Sequence, residues 1–380
     1  MTKTNMTHTR TFGCEIELVG LTIEAAARAL RASGINTFDT ETNSFDGVTP
    51  DYDDDDDESC GCSSCRGDRA NTNDPRMRTA WKVTYDGSVS SGCEVVSPIL
   101  SGAEGLESVR NVVRTLKAAG ARVDNSCGFH VHVDARDLQG PELINAVRRY
   151  AQQENEIDAF MAPRRRQSRS NWCLSMVDLA QTFATRGDLF SATTVAELPQ
   201  TRYYKLNLAA YVKHGTLEFR QHAGTLNLNK MINWIMFCVQ FVEDSRLPQS
   251  YLESYKTLAE QKKLVKAAQV LARLPLPGVG YGKESWTLSR ELGVYETEID
   301  ALINKVRERF PVYNAVYQQG NRYRIRTAIP TDQVPSDCDV SLEQPAASGI
   351  FDNLPASTVA YLQGRAEGYR TATRSRSARA

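Results

Sequence analysis

Five short segments of this chain alternate polar, chemically reactive residues with apolar ones, and this pattern constrains the fold more than any other feature. In Cys14–Leu18 apolar residues occupy every second position, with Glu15 and Glu17 between them. Successive side chains of a β-strand point to opposite faces, so the two glutamates share one face and the apolar residues share the other. The segment therefore predicts a strand with one face in the core and one face that carries chemistry.

The other four segments bring further reactive residues to predicted strands. They are Phe129–Val133 with His130 and His132, Leu217–Arg220 with Glu218 and Arg220, Tyr204–Leu208 with Lys205 and Asn207 together on one face, and Cys93–Pro98 with Glu94. A merely solvated sheet face usually carries Lys, Thr, Ser and Gln, and it is the alternative interpretation of each segment alone. Carboxylates with imidazoles suit Mg²⁺ or Mn²⁺, and basic residues suit the phosphates that accompany these ions. The combination predicts a site for ATP and a divalent metal.

Helical segments separate these strands as far as residue 245. One predicted helix, Thr22–Ser33, is followed by Gly34, and another begins at Ser101-x-x-Glu104, which has the pattern of a capping box. Two more are predicted from the helical spacing of apolar residues in Pro141–Met161 and Asn229–Glu243. We place a domain boundary near residue 246. Residues 246–380 are predicted to be mostly helical, with helices over 256–273 and 296–309 and a disordered tail, TATRSRSARA. A helical hairpin is suggested by the segment RELGVYETEIDALINKV. Packing of its apolar face onto the sheet explains this pattern more simply than DNA binding does.

Residues 51–75 form a predicted insert in the first domain. Five consecutive aspartates are followed by Cys60, Cys62 and Cys65. An acidic run of this kind is typical of a solvated loop. The three cysteines are either ligands of a structural Zn²⁺, for which a fourth ligand is not evident, or free thiols on that loop.

Charge and hydropathy limit the partners and the compartment. The chain has 45 basic and 46 acidic residues and a net charge of −1, so nucleic acid is not an expected partner and would need a local basic patch. Neither an apolar N-terminal stretch nor a run of about 18 apolar residues occurs, so we expect no membrane association and a cytoplasmic protein. Nine cysteines, an odd and scattered set, indicate reduced thiols.

Six motifs occur in an order that resembles the amidoligase family of the glutamine synthetase and glutamate–cysteine ligase superfamily. They are FGCEIEL at 12–18, WKVTYDGSV at 81–89, GCEVVSPIL at 92–100, CGFHVHVD at 127–134, RYYKLNL at 202–208 and TLEFRQHAGTLN at 216–227. The resemblance covers about residues 10–245. It implies an α+β fold like the glutamine synthetase catalytic domain, in which a twisted antiparallel sheet has helices on one face and the active site on the other.

Positions in the matching motifs imply roles for individual residues. The implied metal ligands are Glu15, Glu17, Glu94, His130 and Glu218. Arg220 is the implied phosphate-binding arginine, and with Glu17 and Glu94 it makes up the implied catalytic set. The implied nucleotide contacts are Arg220, His132, Lys205, Asn207 and, from the 163–173 loop, Arg169.

The implied reaction is ATP-dependent joining of a carboxylate to an amine through an acyl phosphate, with Mg²⁺ or Mn²⁺ as the metal. Neither substrate is identified, and amino acids, peptides, polyamines and modified macromolecules all remain open. Two alternatives stand beside the ligase. One is a metal-dependent hydrolase, and the other is a non-catalytic module that binds nucleotide or metal.

Overall fold

A computed structural model describes residues 10–46, 74–87, 89, 92–179, 201–336 and 348–377. The chain divides into two compact units, of which the first is Met1–Arg246 with Ala347–Ala380 and the second is Leu247–Ala346. The first unit thus includes the last segment of the chain, which we had grouped with the C-terminal region.

The first unit contains one large sheet. Its described strands are β1 (Thr11–Val19), β2 (Thr37–Asp39), β3 (Trp81–Thr84), β4 (Gly92–Val96), β5 (Leu100–Ser101), β6 (Phe129–Asp134), β7 (Leu206–Asn207) and β8 (Thr216–Phe219). They lie in the order β2-β3-β4-β1-β6-β8-β7, and β5 pairs with the start of β1. Among the strands described, β2 and β3 pair in parallel and the other pairs are antiparallel. The strands with reactive residues, β4, β1, β6, β8 and β7, are therefore consecutive neighbours in the sheet.

One face of this sheet is the core of the first unit. Cys14, Ile16 and Leu18 of β1 are buried, as are Val95 of β4 and Val131 of β6. These residues occupy the alternate positions that the sequence assigned to the core. The intervening positions form the opposite, polar face.

Helices cover the apolar face. They are α1 (Ile23–Ala32), α2 (Gly102–Ala118), α3 (Gly140–Ala159) and α5 (Leu228–Glu243), whereas the short helix α4 (Ala209–His214) contacts β8 and lies on the polar side of the sheet. α1 packs on β3 and β4, α5 packs on β6, and α2 lies against both helices. Thr22 caps α1 by accepting a hydrogen bond from the backbone of Ala25 at 3.1 Å. Ser101 precedes α2 without a side-chain cap, so the capping box predicted there is wrong.

The second unit is smaller and has its own core. It contains α6 (Gln249–Leu271), β9 (Lys283–Glu284), α7 (Ser285–Leu292), α8 (Ile299–Arg309), β10 (Val316–Gln319) and β11 (Arg322–Ile325). The sheet order is β10-β11-β9. Gly293, with a φ of 66°, ends α7 in the left-handed region and lets the chain turn sharply towards α8. We predicted a mostly helical region and missed this sheet, because its strands are only two to four residues long.

The returning segment forms α9 (Ala356–Ser377), which packs on α5 and α3. The tail predicted to be disordered from residue 371 is therefore helical as far as Ser377. The α+β class is confirmed by a mostly antiparallel sheet combined with helices. Within the described ranges, no helix is long and apolar enough to cross a membrane. The cysteines in these ranges are buried free thiols, namely Cys14, Cys93, Cys127, Cys173 and Cys238.

Candidate active site

Strand register brings the reactive residues together on the polar face. Glu17 lies directly opposite Glu94 across β1 and β4. Glu15 lies opposite His130 across β1 and β6. Glu218 of β8 lies between His132 of β6 and Asn207 of β7. Because opposite residues of paired strands have Cβ atoms only about 5 Å apart, these side chains form one continuous cluster.

Glu15 is at the centre of this cluster. Its Oε2 lies 3.0 Å from His130 Nδ1, and its Oε1 lies 3.1 Å from His132 Nε2. Burial alone would raise the pKa of Glu15, but the hydrogen bonds and charges of the two histidines outweigh burial and hold this pKa well below its usual range. For His132 burial acts in the opposite direction and would lower the pKa. The hydrogen bond and charge of Glu15, with a smaller contribution from Glu218, raise the pKa of His132 instead. Glu15 is thus a carboxylate that stays ionised.

Glu94 has the opposite electrostatic environment. Burial raises its pKa well above the usual range, and repulsion from Glu15, Asp86 and Glu17 raises it further. Lys82 opposes this shift only in part. Several carboxylates in one place repel each other unless a cation or a shared proton lies between them. This end of the cluster therefore has more negative charge than its own side chains neutralise.

Gly128 fixes the position of Glu17. Glu17 Oε2 accepts a hydrogen bond from the backbone N–H of Gly128 at 2.5 Å. A Cβ atom on residue 128 would lie 2.6 Å from His130 Nε2 and 3.2 Å from Glu17 Oε1. Only glycine allows the backbone to approach both side chains this closely.

Arg220 adds a cation beside Glu218. Its guanidinium donates to Glu218 Oε1 and, at 3.5 Å, to the carbonyl oxygen of Trp172. Asn207 Nδ2 donates to the other carboxylate oxygen of Glu218 at 2.5 Å. Glu218 is therefore held from two sides, and Arg220 lies at the edge of the carboxylate cluster.

The cluster forms the floor of a cleft with a volume of about 600 Å³. The predicted residues that line this cleft are Glu15, Glu17, Glu94, His130, His132, Asn207, Glu218 and Arg220. A volume of this size is in the range of small-molecule sites. The cleft combines carboxylates and imidazoles on β1, β4 and β6 with arginines beyond β8.

Other cleft residues were not predicted from the sequence. Asp86, Arg165, Arg202, Lys213, His214, Trp172 and Tyr85 also line the cleft. Arg165 stands in the run of three arginines at 164–166, for which a loop near the nucleotide and a solvated loop were equally open; it is almost fully buried and donates to the carbonyl oxygen of Cys127 at 2.9 Å. The sequence signal for Asp86 was the segment Asp86-Gly87-Ser88, which precedes Glu94. The pKa of His214 is lowered by burial and by the charges of Lys213 and His132.

Two predicted residues lie elsewhere. Lys205 is completely buried, and its Nζ donates to Glu154 and Asp158 of α3 at 2.7 Å each. The prediction that Lys205 shares the face of Asn207 is wrong, because regular pairing in β7 covers only Leu206–Asn207 and strand alternation does not extend to residue 205. Arg169 is exposed and does not line the cleft. Cys60, Cys62 and Cys65, with most of the 51–75 insert, lie outside the described residues.

The cleft offers three groups of ligand atoms that could hold cations. They are Glu15 with His132 and Glu218, Glu15 with Glu94 and His130, and Glu17 with Asp86 and Glu94. Within each group the ligand atoms lie within 4.8 Å of one another. Mostly carboxylate oxygen with occasional imidazole is the donor set that suits Mg²⁺ or Mn²⁺.

Comparison with known proteins adds one match. A family model described as "Putative amidoligase enzyme" matches residues 8–242, which is more than half of the chain. These residues include every strand of the large sheet and every residue that lines the cleft. No curated protein matches the sequence.

Proposed function

Since this chain belongs to the amidoligase family, we propose that it joins a carboxylate to an amine in an ATP-dependent reaction that passes through an acyl phosphate. A carboxylate is a poor electrophile at neutral pH, so it needs a good leaving group before an amine can attack it. Transfer of the γ-phosphoryl group of ATP to a carboxylate oxygen supplies that leaving group, and the amine then displaces phosphate.

The observation that carries this proposal is the arrangement of charge in the cleft. Carboxylates and histidines occupy the floor, while Arg165, Arg202 and Arg220 lie in the same cleft. Phosphoryl transfer depends chiefly on positioning and on stabilising the charge of the phosphoryl oxygens. Arginine suits this task because its planar guanidinium can bind two phosphate oxygens at once.

The carboxylates fit divalent cations. Burial, together with repulsion from Glu15, Asp86 and Glu17, raises the pKa of Glu94, and a cation would relieve that repulsion. Glu15, Glu17, Glu94, His130 and Glu218 are the ligands we propose, with Asp86 and His132 as further candidates. Bound Mg²⁺ or Mn²⁺ would neutralise phosphate charge. The chain's own part is to hold the ligands in place, which Gly128 does for Glu17 and Asn207 does for Glu218.

Arg220 is the residue we propose to bind phosphate. It already pairs with Glu218, so its guanidinium is held at the boundary between the carboxylates and the rest of the cleft. A pre-positioned donor stabilises developing charge without having to reorganise. Removing one such donor typically costs about 10²–10³ in rate.

The proposal is tested first by calorimetry of ATP binding with and without Mg²⁺. ADP release is then measured in the presence of pooled carboxylic acids and amines. We expect metal-dependent binding and ADP release only when an acid and an amine are both present. Arg220→Ala should lower the rate by about 10²-fold or more. Arg28→Ala is the matched control, because Arg28 is exposed on α1 and outside the cleft.

Two outcomes would contradict the ligase. If no nucleotide binds with any metal, the cleft lacks the co-substrate that we assign to it. If the protein hydrolyses amides with metal alone and without ATP, the hydrolase replaces the ligase.

A further inference from the structure

The three-stranded sheet of the second unit has one face in the core and one face outside it. Val316, Tyr323 and Ile325 point inward and are buried in the core of that unit. The intervening positions carry the outward side chains. We name their cationic and aromatic members, together with Tyr281 just before β9, the Arg–Tyr face: Tyr281, Tyr317, Arg322, Arg324 and Arg326.

The guanidinium groups of the Arg–Tyr face are poorly neutralised. Arg322 pairs with Glu284 at 2.5 Å. Arg324 donates only to backbone carbonyl oxygens, those of Leu276 and Gly280. Among the described residues, neither Arg324 nor Arg326 has a carboxylate partner. The face thus presents three guanidinium groups and one carboxylate, although the whole chain has a net charge of −1.

Two of these arginines lie over tyrosine rings. The Arg322 guanidinium is 5.6 Å from the ring centroid of Tyr281, and the Arg326 guanidinium is 5.2 Å from that of Tyr317. Tyr281 is 86% exposed although it is aromatic. Tyr317 is half-buried. Flat cationic groups beside tyrosine rings offer both phosphate contacts and stacking surfaces.

Gly282 keeps the face open. A Cβ atom there would lie 3.0 Å from Arg324 Cγ and 3.1 Å from Arg322 Cβ. The stems of both arginines therefore pass over a position without a side chain. This brings Arg322 and Arg324 next to each other on the same surface.

The helices of the same unit argue against a duplex as the occupant. α7, the turn at Gly293 and α8 have the order of a helix-turn-helix motif, and a β-hairpin follows them. In duplex-reading proteins the N-terminal residues of the second helix meet the bases. Here the turn before α8 carries Glu296 and Glu298, and the start of α8 carries Asp300; all three are exposed and would repel the phosphates of a duplex.

We propose that the Arg–Tyr face binds single-stranded nucleic acid, with phosphates on Arg324 and Arg326 and bases stacked on Tyr281 and Tyr317. The charge of this face complements a phosphate chain, and the exposed ring of Tyr281 with the half-buried ring of Tyr317 suits bases that are free to stack. This is the local basic patch that the overall composition conceals. The binding site is independent of the cleft and of the proposed ligase reaction.

Fluorescence anisotropy of the full-length protein with a labelled oligothymidylate tests the proposal, at several salt concentrations. We expect binding that weakens as salt rises. Replacing Arg324 and Arg326 together by alanine should flatten the slope of log K against log salt by about 1.4, since each lost phosphate contact accounts for about 0.7. Tyr281→Ala and Tyr317→Ala should each weaken binding roughly tenfold.

The matched control removes two cations from α8, in Lys305→Ala/Arg309→Ala, and should leave affinity for the oligothymidylate unchanged. Circular dichroism of every variant establishes that it is folded. Failure to bind at low salt would overturn the proposal. If the protein binds polyglutamate as tightly as the oligothymidylate, the occupant of the face is an acidic peptide and not nucleic acid. The protein could instead bind a duplex more tightly than the oligothymidylate. If that binding is lost in the α8 control and kept in the variants of the Arg–Tyr face, the helices recognise the nucleic acid and the proposal is wrong.

Discussion

Gly128 controls the distance between two ligand side chains. In Gly128→Ala the new Cβ would lie 2.6 Å from His130 Nε2, so His130 or the hydrogen bond to Glu17 must move. Loss of groups that orient metal ligands typically costs about 10- to 100-fold in metal affinity. We expect a loss of this size in Mn²⁺ affinity, measured by calorimetry, with the fold retained by circular dichroism.

Gly140→Ala is the matched control for this substitution. No atom lies within 4 Å of a Cβ built on Gly140, and this residue begins α3, away from the cleft. Its Mn²⁺ affinity should equal that of the unmodified protein. If Gly128→Ala binds Mn²⁺ equally well, Glu17 and His130 are not held by Gly128 in the way we describe.

His222 makes the stability of the first unit depend on pH. Burial, with a smaller contribution from the charge of Arg365, lowers its pKa from the ordinary value of 6.5 to about 3. The unfolded chain therefore binds a proton below pH 6.5 that the folded chain does not bind, so stability is lost as the pH falls from 6.5 towards 3.

Between about pH 6 and pH 4 this difference should cost about 2 kcal/mol of unfolding free energy. In His222→Phe that loss should disappear, because phenylalanine keeps the packing against Phe129 and Trp234 but cannot titrate. Urea unfolding at both pH values measures the difference. Equal pH dependence in the two proteins would mean that His222 is not buried in its neutral form.

Strand alternation was sufficient to predict the floor of the cleft. Glu15, Glu17 and His130 lie on strands of six to nine residues, long enough for every second side chain to share a face, whereas Glu218, on the four-residue β8, also belongs to a family motif. Arg165 could not be predicted in this way, because its burial depends on a contact with Cys127, 38 residues away. Residues on loops follow the packing of the whole domain, which no local pattern encodes.

Lys205 joins α3 to the loop that borders the cleft. Glu154, one of its two partners, also accepts a hydrogen bond from the backbone N–H of Met176 at 2.5 Å. Asp158, the other partner, accepts one from the backbone N–H of Gln167 at 2.8 Å. The loop between Arg165 and Met176, which contributes Arg165 and Trp172 to the cleft, is thus tied to α3 at both ends.

Lys205→Met should destabilise the protein by about 3–5 kcal/mol, because it leaves two buried carboxylates without their cation. Urea unfolding measures this loss. Lys117→Met, on the exposed side of α2, should change stability by no more than about 0.5 kcal/mol. A small effect in Lys205→Met would show that Glu154 and Asp158 are neutral or hydrated.

Secondary structure was predictable where periodic segments were long. α1, α3 and α5 begin and end within about two residues of their predicted bounds. β9, β10 and β11 were missed, because strands of two to four residues cannot show a period. The register between strands, which sets the geometry of the cleft, depends on contacts between residues far apart in sequence.

The segment 348–377 completes the first unit although it follows the second unit in sequence. Ile350, Leu354 and Leu362 are buried, and Arg365 contacts His222. A chain ending at Ala346 should therefore lose several kcal/mol of stability in the first unit, about 1.5–3 kcal/mol for each buried side chain. We expect the melting transition of that unit to fall by at least about 10 °C.

Calorimetry of the shortened chain measures this change and contains its own control. The second unit has a separate core, of which Leu271, Leu288, Ile303 and Ile325 are part, so its transition should not move. A shift of both transitions by the same amount would mean that the two units unfold as one.

The return of the chain to the first unit also has a consequence for biosynthesis. A ribosome releases residues 10–246 before any of α9, so the large sheet emerges while the surface of α5 and α3 that α9 covers is still bare. The second unit, which is continuous in sequence, can fold during this interval. For as long as translation takes to add those residues, the first unit leaves exposed the surface that α9 covers in the finished fold.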